Sequence, residues 1–202
     1  MTAQVGLDEI EGLANAGFYI ALRIGFAFPV EEVNRFPGDW IETYTRKGLM
    51  LADPVIRWVY GNTGTVKWSD LSGDDPRDVF GKAANHGLCY GVVISVFDGN
   101  AEGQRSFGSF ARSDREFRDL EIRILRSYLT RRHAEMAPPT NLTDAELVAL
   151  GMVKQGLRLK QIAFELGVSE GAVKQRLKNA KAKLGANTST QAATIVAQHG
   201  LI

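Results

Sequence analysis

The sequence predicts an α+β chain. An N-terminal α/β/α sandwich on an antiparallel sheet is followed by a C-terminal four-helix domain that contains a helix-turn-helix. Three observations predict this. Pro138-Pro139 is the single Pro-Pro pair, and it divides the chain. Before it, an apolar β-branched run and turn residues lie between two helical patterns. After it, the apolar repeats are all helical. Two adjacent prolines forbid helix continuation and push each preceding residue toward extended backbone. The expected boundaries are therefore 1–136 for the first domain, 137–141 for a linker and 142–202 for the second domain.

The elements follow in order. A helix is expected over Asp8–Phe26, where Ile10, Leu13, Gly17, Ile20 and Ile24 fall at roughly helical spacing, although three glycines weaken it. Thr65–Ala111 reads as strands and turns. Within it, Gly91–Phe97 is an apolar strand, Asp98-Gly99 a turn and Arg105–Phe110 a second strand. Asp114–Met136 is expected as a helix capped by Ser113, with Glu116 completing a capping box and Phe117, Leu120, Ile124 and Tyr128 on one stripe. Past the boundary, Thr143-Asp-Ala-Glu146 is a capping box opening a helix that Gly156 ends. Leu159–Leu166 is a short second helix, and Gly167-Val168-Ser169 turns it into a third over Glu170–Leu184. A fourth runs from about Thr190 to Gln198.

Composition bounds the class. The chain has 202 residues, 45% hydrophobic and 23% charged, which suits a packed domain plus a small module and excludes disordered and low-complexity chains. No run approaches the ~18 apolar residues of a membrane span. Met1–Ile10 carries Asp8 and Glu9 and has no basic segment, so a secretory signal is not expected. The single cysteine, Cys89, and three scattered histidines are expected to form neither a disulfide nor a metal cluster, and fit a reduced, cytoplasmic setting.

The net charge of +1 hides an asymmetry. From Thr140 onward there are eight Lys and Arg against four Asp and Glu, a net +4, which leaves −3 on the rest. A basic module on an acidic body suggests an anionic partner for the module alone. In the third helix, Lys174, Lys178 and Lys181 recur at i, i+4 and i+7, while Val173, Leu177 and Leu184 turn toward the core. Past Glu170 this helix has no acid, and its N-terminus offers free N–H groups to phosphates. A helix of this width fits the major groove, where Lys, Arg and Gln address base edges. Lys174, Lys178 and Lys181, with Gln175 and Glu170 beside them, are the candidate DNA contacts. A solvated basic face on a four-helix module is the alternative.

The C-terminal pattern is more specific than its charge. Leu142-Thr143-Asp-Ala-Glu146, Leu150, Gly156, Gln161-Ile162-Ala163, Leu166-Gly167-Val168-Ser169, Val173-Lys174, Leu177 and Lys183-Leu184-Gly185 resemble the LuxR-type helix-turn-helix over about the last 60 residues. The body carries a second resemblance. Phe36, Trp40, Tyr44, Asp53-Pro54-Val55, Trp68-Ser69-Asp70-Leu71, Gly87, Gly91 and Ser109 are similar in register to the ligand-binding domain of LuxR-type quorum-sensing regulators. A phospho-receiver body is not expected, because Asp8 and Glu9 follow no strand and position 105 is an arginine in a turn-like region.

The resemblance implies an N-acyl-homoserine lactone as ligand and no cofactor. The lactone is neutral, with one amide, two carbonyls to be paired and an apolar chain. An ionised Asp53 can only accept, so it suits the amide N–H. The Trp40 indole can only donate, so it suits the lactone carbonyl. The Ser109 hydroxyl suits the acyl carbonyl. Tyr44 and Trp68 supply flat walls. Phe36 stands where the family often has a tyrosine, so the polar grip leans on Ser109. The implied protein is a homodimeric transcription factor that binds double-stranded DNA at a pseudo-palindromic site and meets RNA polymerase there. The alternative is a ligand-independent regulator or antiactivator acting by protein–protein contact. An enzyme is not expected, since no nucleophile–base pair or phosphate loop is visible.

Overall fold

A computed structural model describes residues 5–24, 28–99, 103–139 and 141–202. The chain divides into two compact units, residues 1–136 and 137–202.

The first unit is built on a five-stranded sheet of order β2-β1-β5-β4-β3, antiparallel throughout. Its strands are β1 (Gly17–Ile24), β2 (Pro29–Asn34), β3 (Gly64–Lys67), β4 (Tyr90–Phe97) and β5 (Arg105–Arg112). Two apolar cores lie on its two faces. One packs Phe18, Ile20, Leu22, Val92, Ile94 and Phe110 against helix α1 (Leu7–Leu13) and the long helix α6 (Asp119–Glu135). The other packs Ala21, Val93, Phe107 and Ala111 against α2 (Gly38–Arg46), α3 (Pro54–Gly61), α4 (Trp68–Leu71) and α5 (Val79–Ala84). Helices on both faces of an antiparallel sheet make the α/β/α sandwich.

Three elements differ from the sequence expectation. The helix expected over Asp8–Phe26 ends at Leu13, and Gly17–Ile24 is the strand β1; Gly25 and Phe26 lie outside the described residues. Alternate β1 residues point to opposite cores, and both cores are apolar, so the two-residue period is hidden in a continuous apolar run. Gly17 has φ +109°, and a Cβ there would strike the Arg35 carbonyl, so this glycine sets the entry into the strand. Second, the span expected as strands and turns contains α4 and α5 between β3 and β4. Third, α6 starts five residues later than expected, and Glu121 rather than Glu116 caps it, accepting from the Arg118 N–H at 2.8 Å. Long-range bonds hold the preceding segment out of the helix. Ser113 N–H donates to Asn15 Oδ1 at 3.1 Å, and Arg112 grips Asp114 through two bonds of 2.9 Å. Phe117 is therefore buried from a loop, and Leu120 is 60% exposed.

The second unit packs four helices among the described residues: α7 (Asp144–Lys154), α8 (Leu159–Leu166), α9 (Glu170–Leu184) and α10 (Ser189–Gln198). Its ends follow local chemistry. Glu146 Oε2 accepts from the Thr143 N–H at 2.8 Å, and Ser169 Oγ accepts from the Ala172 N–H at 3.2 Å. Gly167 closes α8 at φ +63°. Leu150, Ile162, Val173, Leu177 and Val196 form the core.

Candidate functional site

Between the sheet and α2–α5 lies a cavity of about 500 Å³, within the range that holds small ligands. Phe36, Trp40, Tyr44, Asp53, Trp68 and Ser109 all line it. They come from five different elements or loops. Trp40 and Tyr44 are one helical turn apart on α2, and their rings meet edge-on at 5.5 Å. Ser109 projects from the middle of β5.

Asp53 does two things at once. It is the N-cap of α3, where its Oδ1 accepts from the Val55 N–H at 2.8 Å and Pro54 follows at the first helical position. Its Oδ2 accepts from the Tyr44 hydroxyl at 2.7 Å. Tyr44 is thus more than the flat wall the sequence suggests, because its hydroxyl orients the carboxylate. Burial pushes the Asp53 carboxyl above its usual value, while the bonds from Tyr44 and Val55 pull it back. Burial and then the Asp53 charge push the Tyr44 phenol up. A carboxylate has about four lone-pair sites, so two remain for a further donor from the cavity.

Trp68 is placed by a glycine. A Cβ at Gly91 on β4 would overlap the Trp68 indole, so the ring lies flat on the bare strand and stacks on Phe80 at 5.3 Å. The Trp68 indole N–H is buried without a hydrogen-bond partner among the described residues. Trp40 is backed by His86, whose ring lies 5.6 Å away and whose Nδ1 pairs with Asp39 Oδ2 at 2.7 Å.

The cavity lining mixes buried and exposed residues. Trp40, Asp53, Trp68 and Ser109 are buried, whereas Phe28, Met50 and Tyr60, which also line it, are 83%, 56% and 65% exposed. Tyr19 and Glu32 also line it, and sequence reasoning missed both. They reach the cavity through strand pairing, for which no local pattern exists.

The other face of the sheet holds a buried polar network. Ser106 Oγ lies 2.7 Å from His133 Nδ1, and His133 Nε2 lies 2.9 Å from Asp98 Oδ1. Arg23 pairs with Asp98 and donates from Nε to the His133 carbonyl at 2.7 Å. Ser106 is wholly buried and on the opposite face from the cavity, so this cluster fastens the end of α6 to the sheet. Burial first, then the Arg23 charge, lower the His133 pKa against the opposing pull of Asp98.

In the second unit, α9 presents Lys174, Gln175 and Lys178 to solvent, with Lys181 half-buried beside them and Glu170 exposed in the first turn. Val173, Leu177 and Ala180 face the core. Gln175 donates to Asn179 Oδ1 at 2.7 Å. Lys183 is engaged, at 2.7 Å from the buried Glu146. Among the described residues, no ion pair occupies Lys174, Lys178 or Lys181.

Residues 29–135 match the autoinducer binding domain, and residues 140–196 match the bacterial regulatory proteins of the luxR family. The chain is 28% identical over 176 residues to the transcriptional activator protein VanR of Vibrio anguillarum, covering 80% of this chain and 72% of that protein. It is 29% identical over 194 residues to the HTH-type quorum-sensing regulator RhlR of Pseudomonas aeruginosa, covering 89% and 79%. The crystal structure of Escherichia coli SdiA aligns with a TM-score of 0.49 at 24% identity, over 97% of this chain and 90% of that one. The chain therefore belongs to the LuxR family of quorum-sensing transcriptional regulators, joining an autoinducer-binding domain to a LuxR-type helix-turn-helix.

Proposed function

We propose that the cavity of the first unit binds an N-acyl-homoserine lactone and that the ligand-bound protein, as a homodimer, reads a pseudo-palindromic DNA site through α9. One observation carries the reading. An acceptor-only carboxylate, an indole and a hydroxyl, all buried, line one apolar cavity. That set complements a ligand with one amide N–H and two carbonyls. Asp53 accepts the amide proton, Trp40 donates to the lactone carbonyl and Ser109 donates to the acyl carbonyl. Each polar atom left unpaired there would cost roughly 1–3 kcal/mol. The chain then leaves along the apolar walls. Phe36 adds no hydroxyl, so the acyl carbonyl depends on Ser109.

For DNA, the exposed Lys174 and Lys178 are free to meet phosphates or base edges, with Gln175, Lys181 and Glu170 around them. A two-fold dimer matches half-sites about one helical turn apart. RNA polymerase is the partner such a DNA-bound regulator would engage, and the cytoplasm is where both are found. The test is mass spectrometry of small molecules extracted from protein expressed with a lactone panel. Retention of one lactone at about one per chain supports the reading. A protein that folds, binds DNA and retains none supports a ligand-independent regulator or antiactivator instead.

A further inference from the structure

The cavity contains a second polar couple, apart from Asp53 and Ser109. Tyr19 of β1 stands directly opposite Ser109 of β5 and Asn34 of β2 in the sheet register. Glu32 pairs with Ala21, two residues along from Tyr19 on the same face. Tyr19 and Glu32 are therefore diagonal neighbours, within reach of long side chains. The Tyr19 ring packs on Phe107 at 5.5 Å, next along β5 on Ser109's face. Its phenol is pushed up by burial and then by the adjoining Glu32 carboxylate, so it stays protonated. Glu32 is exposed, and it lines the cavity with Tyr19. An acyl chain that runs from Ser109 across β1 toward the exposed Glu32 passes over Tyr19.

We infer that this regulator selects lactones whose acyl chain carries a hydroxyl group, read by the Tyr19–Glu32 couple. The inference rests on the lactone reading above. A plain alkyl chain laid over the couple would displace water and return no hydrogen bond. An oxo group only accepts, so it competes with Glu32 for the single Tyr19 proton. A hydroxyl inserts between the two, accepting from Tyr19 and donating to the acceptor-only carboxylate. Every donor then keeps an acceptor. Because one of these bonds ends on a charged group, the gain is on the order of tenfold in affinity, moderated by the water that still reaches Glu32.

The test uses the full chain and four synthetic lactones of equal chain length. One is unsubstituted, one carries a 3-oxo group, one a 3-hydroxyl and one a hydroxyl on the terminal carbon. Affinities are measured by calorimetric titration, and melting without ligand checks the fold of each variant. At least one hydroxylated lactone should bind about tenfold tighter than the unsubstituted one. That ratio should fall to near one in Tyr19→Phe and in Glu32→Leu. Hydroxylated and unsubstituted lactones binding alike, or a ratio that survives both substitutions, overturns the inference and leaves the lactone reading standing. Binding of none of the four overturns both.

Discussion

Tyr44→Phe isolates the bond that orients Asp53. Phenylalanine keeps the ring and its contact with Trp40, so packing changes little. What goes is the 2.7 Å bond to a carboxylate that is only 8% exposed. A hydrogen bond to a buried charge contributes about 1.5–3 kcal/mol, so the variant should lose stability on that order. The loss has a pH signature. Burial already holds the Asp53 carboxyl above its unfolded value. Its contribution therefore favours folding in acid and is lost as pH rises through the folded pKa. Removing the Tyr44 donor raises that pKa further. The difference between parent and variant should be largest at neutral pH, where Asp53 is ionised. It should shrink as pH falls through the folded pKa, where both proteins carry a neutral acid. Urea unfolding at pH 7 and at about pH 4 measures it. Equal stability at pH 7, or a difference that does not shrink in acid, refutes the assigned role of the Tyr44–Asp53 bond.

Gly91→Ala should drive a methyl into the Trp68 indole, cost roughly 1–3 kcal/mol by overpacking and weaken ligand binding together with stability; melting and titration of the variant read both. His133 has a folded pKa below its unfolded value, so the first unit should lose stability as pH falls below about 6.5, and His133→Gln should flatten that stretch of the melting-versus-pH curve. With α9 seated in the major groove as proposed, Lys178, one turn beyond Lys174, would come nearer the phosphates, so Lys178→Ala should weaken cognate and random duplex alike and lower the salt slope by about 1. Lys174→Ala should instead cost the cognate site more, by about 1–3 kcal/mol if it meets a base edge. Gel-shift titrations at two salt concentrations separate the two, and unchanged binding by the double variant would return α9 to a merely solvated face.

The two units differ in how much of them the residues announce. In the second, each helix carries its own punctuation. Thr143 with Glu146, Gly167 and Ser169 decide ends through bonds spanning a few residues, so α8 and α9 are legible from the chain alone. In the first, the deciding contacts are remote. Asn15 reaches Ser113 and delays α6, and β1 is buried on both faces by parts of the chain far away in sequence. The same holds for the cavity. Trp40, Tyr44 and Asp53 are close enough in sequence to form a pattern, so a resemblance can carry them. Tyr19 meets Ser109 only through the pairing of β1 with β5, and nothing near Tyr19 in the sequence marks that register. The clasp of Ser106, His133, Asp98 and Arg23 is hidden for the same reason: it joins β1, β5, α6 and the β4–β5 connection.

In the proposed complex the Asp53 carboxylate holds the lactone in the cavity, and Asp53→Asn tests that role directly. Asparagine is as good an N-cap as aspartate, so α3 keeps its start and the chain should fold. It presents one carbonyl oxygen where two acceptor oxygens stood, and that oxygen is shared with Tyr44 and the Val55 N–H. Calorimetric titration of the lactone recovered from the parent protein into both proteins is the measurement. We expect one lactone per parent chain, and a rise in stability of ~2.7 kcal/mol when ligand stands at a hundred times its dissociation constant. The folded Asn variant should bind at least tenfold more weakly, since a charge-assisted bond is replaced by a neutral one. Binding by the Asn variant within twofold of the parent would contradict the claim.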